Sequence, residues 1–232
     1  MQEIRVFFFG DSICVGQYVS IHKGWVTRIS AALSDLAETH ACKVIVTNSS
    51  GNGRTTRQAL EVMPYEAQSK HPHLMIVQFG MNDCNYWESD NGLPRVSPKA
   101  FAANLEEIIK RAFTFGARKV LLNTNHPTGN DEKKMRFTSI SYQQSNEQYN
   151  QIIREVASSQ DSRVVLNDIE KAFIAYAAGS RERLLDLVLP EPDLLHPSDR
   201  GHALYFDIVY PVIRDALLEL IGDNDEPGNE GS

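Results

Sequence analysis

Five short runs rich in β-branched and aromatic residues, at 4–9, 43–47, 74–79, 119–123 and 163–166, are separated by stretches with helical periodicity. These runs are nearly continuous in apolar character rather than alternating. A strand of that kind is buried on both faces, which requires helices on both sides of a parallel sheet. The pattern therefore predicts an α/β fold, a three-layer α/β/α sandwich around a five-stranded parallel sheet. Among the intervening helices, Trp25, Ile29, Ala32, Leu33 and Leu36 recur at three and four residues, as do Phe101, Leu105, Ile108 and Ala112. Ser97-Pro98 supplies an N-cap and a first-turn proline, and Gly116 a C-terminal stop. A third amphipathic stretch carries Tyr149, Ile152, Ile153, Val156 and Ala157. A fourth spans about 198–221 and contains Pro211, which predicts a kink, or a break and restart, near Tyr210.

With 232 residues and 42% hydrophobic content, the chain has enough apolar material for one core, and 1–221 reads as a single domain. Residues 222–232 carry acidic and turn-forming residues without an apolar pattern and read as a disordered acidic tail. A net charge of −7 without a basic groove argues against nucleic acid as the main partner. The early apolar run at 6–9 is too short for a signal-peptide core or a membrane span, which predicts a cytoplasmic protein. Cys14, Cys42 and Cys84 have neither metal-ligand nor redox-motif spacing and read as small buried hydrophobes.

In an open parallel sheet, ligands bind beyond the carboxyl ends of the strands. Polar clusters fall at those points: Gly10-Asp11-Ser12, the stretch 48–56, Gly80-Met81-Asn82-Asp83 and the stretch 123–127. A serine on the turn leaving a strand exposes its Oγ, and an adjacent base can activate it. Ser12 has that position, with Asp11 read as a turn former accepting backbone hydrogen bonds. Far along the chain, Asp193-Leu194-Leu195-His196-Pro197 offers a carboxylate and an imidazole three residues apart. That spacing lets Asp193 reach Nδ1–H while Nε2 stays free for a serine. Pro190, Pro192 and Pro197 favour a turn there over a helix interior. Asp199 and His202 repeat the spacing, but within the helical pattern, and read as surface or packing residues. Acyl transfer also needs donors for a developing oxyanion. Gly53, whose N–H can approach a substrate closely, and the Asn82 side-chain amide are candidates. His126 belongs at the crevice edge as a substrate contact or as a loop histidine satisfied by backbone. Tyr86 and Trp87 offer a flat face to a sugar ring or an acyl chain, or simply pack.

Taken together and in this order, the segments around Ser12, Gly53, Asn82 and His196 resemble the four blocks of the SGNH (GDSL-type) hydrolase family. The resemblance implies that Ser12 is the nucleophile, His196 the base and Asp193 its orienter. It also implies an oxyanion hole made of the Ser12 and Gly53 N–H groups and the Asn82 side chain. A flavodoxin-like strand order 2-1-3-4-5 follows, with no metal and no organic cofactor. Two positions depart from the family pattern: Ile13 stands where many members have leucine, and Ser50-Gly51 where a glycine followed by an apolar residue is usual.

The expected activity is ester hydrolysis through an acyl-enzyme on Ser12. The charged stretches 85–97 and 125–138 contain no long apolar lid, which favours a short acyl group, such as acetyl, on a carbohydrate or another polar small molecule. A lipid acylhydrolase, lysophospholipase or thioesterase using the same triad is the nearest alternative. A non-catalytic protein that binds acylated glycans is a rival of another class. A nucleotide-binding Rossmann protein is disfavoured because the first turn lacks the glycine fingerprint.

Overall fold

The computed structural model describes residues 2–222. The tail expected over 222–232 therefore lies, apart from Gly222, outside the described residues. Five parallel strands form one sheet: β1 (Glu3–Gly10), β2 (Lys43–Asn48), β3 (Leu74–Gln78), β4 (Lys119–Asn123) and β5 (Val164–Asn167). Their order is β2-β1-β3-β4-β5, so the anticipated 2-1-3-4-5 arrangement is the observed one. Among the described residues, eight α-helices accompany them: α1 (Ser12–Val15), α2 (Trp25–Thr39), α3 (Thr56–Glu66), α4 (Pro98–Thr114), α5 (Tyr142–Ser158), α6 (Ile169–Ala177), α7 (Arg181–Leu185) and α8 (Asp199–Gly222). Helices α3, α4 and α5 pack in succession on one face, while α2, α8 and α6 pack together on the other. This division follows from right-handed crossovers in a sheet that starts near its centre and then grows in both directions.

The strand residues explain why both faces need cover. Phe8 and Phe9 point to opposite sides of β1. Phe8 meets the edge of Trp25 from α2 at 5.5 Å, and Phe9 meets Phe79 at 5.4 Å. Every residue of β3, the middle strand, is buried, whereas the edge strand β2 is only half covered. Local signals fix the helix starts. Thr55 caps α3 and Ser141 caps α5, each in a reciprocal box with a glutamine three residues on, Gln58 and Gln144. Ser97 caps α4, with Pro98 in its first turn.

Helix α8 departs from the sequence expectation, because it runs without a break from Asp199 through Pro211 to Gly222. A proline removes one backbone hydrogen bond. That loss is local, whereas the buried stripe Tyr205, Val209, Ile213, Ala216 and Leu217 continues across it against the core. Packing on both sides of the lost bond keeps the helix whole.

Gly10 shows how tightly the sheet closes under the first strand–helix turn. A Cβ placed there would lie 2.7 Å from the Gln78 backbone oxygen on β3 and 2.7 Å from the Cys14 Sγ. The backbone oxygen belongs to a sheet strand and has little room to yield. Gly10→Ala is expected to destabilise the protein by about 1–3 kcal/mol through overpacking, readable in urea denaturation.

Candidate active site

The ends of β1, β2 and β3 and the turn before α8 contribute the parts of the candidate site. Gly10 closes β1, and Asp11 caps α1 by accepting the Ile13 N–H at 3.0 Å, which places Ser12 at the head of a four-residue helix. The Trp25 indole N–H donates to the Ile13 carbonyl at 2.9 Å, tying this short helix to α2. Ser12 is thereby fixed by the core beneath it.

On the other side, the turn before α8 is closed on itself. Asp193 Oδ1 accepts the N–H groups of Leu195 and His196 at 2.8 and 2.6 Å, and Oδ2 faces His196 Nδ1 at 2.8 Å. His196 Nε2 lies 3.0 Å from Ser12 Oγ. A carboxylate only accepts, so Nδ1 carries the proton and Nε2 is the acceptor for the serine hydroxyl. Burial pushes Asp193 up, but the three hydrogen bonds outweigh it and hold the carboxyl below its usual range. Asp193, His196 and Ser12 thus form one continuous relay, joining positions separated by 184 residues.

Gly53 and Asn82 lie on the loops that leave β2 and β3, and the Asn82 side chain reaches Asp11, the neighbour of Ser12. Gly53 sits at φ 71, and no heavy atom lies within 4 Å of the place a Cβ would occupy, so its backbone borders open space. The loop holding it is anchored through Thr56, whose N–H and hydroxyl both donate to the buried Asp83 Oδ1, at 2.9 and 2.5 Å. Asp83 follows Asn82, so this carboxylate locks two strand-end loops together. Burial raises Asp83 to about 6 despite those bonds.

Sequence reasoning missed Arg95 as a part of the site. Its Nη1 donates to Asn82 Oδ1 at 3.2 Å and to the Gly53 carbonyl at 3.1 Å. Its guanidinium lies 3.9 Å from the centre of the Trp87 ring. An arginine can only donate, so it fixes which end of the Asn82 amide faces it and turns Nδ2 the other way. One Nδ2 hydrogen goes to Asp11 Oδ2 at 3.3 Å, which leaves the second for a ligand. No local pattern marks Arg95. It was one charged residue in a charged loop, and only the folded chain brings it to both Gly53 and Asn82.

His126 is the clearest correction. It is fully buried rather than at the crevice edge, and it touches no open space. Its Nε2 faces the Leu195 carbonyl at 2.8 Å and its Nδ1 the Tyr205 hydroxyl at 2.8 Å. The carbonyl accepts, so Nε2 bears the hydrogen and Nδ1 accepts from the tyrosine. Burial drives this imidazole down to about 3, keeping it neutral. His126 is a brace under the Asp193–His196 turn, and the backbone-satisfied alternative was nearer the truth. His202 is also buried, accepting the Trp25 N–H through Nδ1 at 3.4 Å, while Asp199 pairs with Lys23 at 3.5 Å. That second Asp/His pair is therefore split between packing and surface. Trp87 is half exposed under Arg95, and Tyr86 is partly buried beside it. Cys14, Cys42 and Cys84 are buried, and burial holds the thiols of Cys14 and Cys84 far up, as inert side chains. Among the described residues, no cluster of three or more His, Cys, Asp or Glu side chains is arranged to hold a metal ion, and no helix is long and apolar enough to cross a membrane.

Comparison with known proteins gives a consistent result. The model of the GDSL-like lipase/acylhydrolase family matches residues 8–204. An arylesterase of Vibrio mimicus is 28% identical over 123 residues, which span 53% of this chain and 56% of that protein, little more than half of either. An acetyl xylan esterase, AlAXEase, superposes with a TM-score of 0.69 at 23% identity, covering 90% of this chain and all (100%) of that one. A lipase/acylhydrolase from Enterococcus faecalis superposes with a TM-score of 0.69 at 21% identity, covering 92% and 96%.

Two measurements test the supporting residues. Arg95→Ala is expected to lower kcat by about 10- to 100-fold, somewhat less than deletion of an oxyanion donor, with a smaller change in KM. Arg95→Lys should recover part of kcat, because one nitrogen makes both contacts; equal losses in the two variants would count against a positioning role. Asp11 gives a pH signature. Burial raises its folded-state pKa from 3.8 to about 7, against the pull of the Ile13 and Asn82 hydrogen bonds. Between those values the folded chain holds a proton that the unfolded chain has released, so stability falls as pH rises. Relative to wild type, Asp11→Asn should gain up to ~1.4 kcal/mol per pH unit across that window and level off above it, as measured by denaturation at several pH values.

Proposed function

The chain belongs to the GDSL-like lipase/acylhydrolase family, a family of ester-bond hydrolases, and from that premise we propose that it cleaves carboxylic esters through an acyl-enzyme on Ser12. The observation that carries this reading is the unbroken hydrogen-bond relay from Asp193 through His196 to Ser12. Ser12 Oγ attacks the acyl carbon while its proton passes to His196 Nε2. The carbonyl oxygen becomes an oxyanion facing the Ser12 and Gly53 N–H groups and Asn82 Nδ2. Collapse of that intermediate breaks the bond to the alcohol oxygen, which takes the proton from Nε2. Water then enters, gives a proton to Nε2 and its oxygen to the acyl carbon. The second collapse returns the proton to Ser12 Oγ and frees the acid. Throughout, Asp193 remains ionised and holds the imidazole in the productive tautomer.

A short acyl group is the preferred substrate end. The loops at 85–97 and 125–138 are joined by an exposed Glu88–Arg136 ion pair and are rich in charged residues, with no long apolar segment to serve as a cover. An O-acetylated carbohydrate is one ester of this kind. A longer acyl chain is favoured by a different observation: Leu93 and Phe137 are exposed on these same loops. Hydrolysis of p-nitrophenyl acetate, octanoate and palmitate separates the two, with the acetate expected to give the highest kcat/KM.

Ser12→Ala and His196→Ala are each expected to cut kcat by about 10⁴-fold or more, and Asp193→Asn by less. A fluorophosphonate should add one phosphonyl group to wild type and none to Ser12→Ala, by intact-protein mass. Turnover undiminished in Ser12→Ala would end the proposal, and no ester release by wild type beyond the Ser12→Ala control would leave the acylated-glycan-binding reading in its place.

A further inference from the structure

Beside the relay lies a hollow of about 470 Å³ lined by Tyr18, Leu189, Pro190, Pro192 and Asp193. Its position relative to the reaction follows from the proton path. His196 Nε2 must deliver its proton to the oxygen of the departing alcohol, so that alcohol leaves on the imidazole side of the ester. Tyr18 stands on that side, its ring edge-to-face with His196 at a centroid distance of 5.1 Å. The hollow therefore adjoins the imidazole that serves the leaving group.

Its chemistry is apolar. Asp193 is the one ionisable lining residue other than the tyrosine, and both its oxygens are engaged by the Leu195 and His196 N–H groups and the His196 ring. Tyr18, Leu189 and two prolines make up the rest. The proline wall is part of the same rigid turn as the base: Leu189 donates to the His196 carbonyl at 2.7 Å, and Asp193 to the Pro190 carbonyl at 3.1 Å. Tyr18 is held facing it by the turn that leaves α1, at φ 70, with 68% of its surface exposed. An exposed aromatic residue in the left-handed region carries backbone strain, which is characteristic of residues that clamp ligands.

Resting on the esterase reading above, we propose that this hollow binds the alcohol half of the ester, and that the alcohol it selects carries an aromatic ring. A flat ring fits against the Tyr18 face and the proline wall without stranding polar groups. A sugar would find no hydrogen-bonding side chain there beyond the Tyr18 hydroxyl, because the lining carboxylate is already engaged.

The test keeps the acyl group constant. Benzyl acetate, ethyl acetate and an acetylated methyl xyloside are compared by kcat/KM in wild type, Tyr18→Ala and Tyr18→Phe, with melting temperatures to verify folding. Benzyl acetate should be preferred in wild type. Tyr18→Ala should reduce the benzyl-over-ethyl preference by roughly fivefold, mainly through KM, and Tyr18→Phe should restore it. An unchanged preference in Tyr18→Ala, or a preference for the acetylated xyloside in wild type, overturns the assignment. Either result with Ser12 still labelled by a fluorophosphonate sinks the subsite alone; absence of both labelling and turnover sinks the esterase reading with it.

Discussion

Burial of the sheet from both sides is the constraint to which the rest of the structure answers. With β3 wholly covered and both faces of β1 packed against aromatic rings, no polar group can be used along the strands themselves. Chemistry is displaced to their carboxyl ends, where the backbone turns outward. Some of the polar residues at the ends of the apolar runs bond one another, while the Asn123 side-chain amide and Asn125 Nδ2 are buried without a protein partner. Gln78 donates to Asn125 at 2.8 Å, and Asn150 of α5 both receives the Asn125 N–H and donates to its carbonyl. These bonds tie the loop after β4 to β3 and to α5.

The fold was legible because its signals are local and repeated. Apolar runs, caps and helical stripes each occupy a few consecutive residues, and the strand bounds observed differ from those expected by a residue or so. The hydrogen-bonded Asp193–His196–Ser12 arrangement was legible for another reason: Asp193 and His196 carry their geometry in a three-residue spacing, and Ser12 in a turn motif. What stayed hidden depends on distant partners. Arg95 acquires its position only when the loop after β3 folds back over Gly53. His126 looked like a crevice residue because it follows β4, yet Leu195 and Tyr205 close over it from α8 and the turn before it. Pro211 was read as a breaker because its missing donor is visible in sequence, whereas the packing that overrides it is not.

Three carboxylates near the crevice show how environment divides one chemistry into different states. Asp193, offered three donors, is held down as an anion. Asp11 and Asp83, more deeply buried and with fewer donors relative to their desolvation, are pushed up to about 7 and about 6. The anion sits behind the imidazole, where positive charge develops. The carboxyls that resist ionisation lie behind Asn82 and Thr56, on the side where negative charge is to be received.

The Asp193–His196 turn closes its own hydrogen bonds within four residues, while its reach to Ser12 is a single contact between opposite ends of the chain. The Asp193–His196 contact thus depends on a few neighbouring residues, and the contact with Ser12 on the whole fold. Activity therefore needs both ends of the chain in place at once, and its upper temperature cannot exceed the point at which the fold is lost.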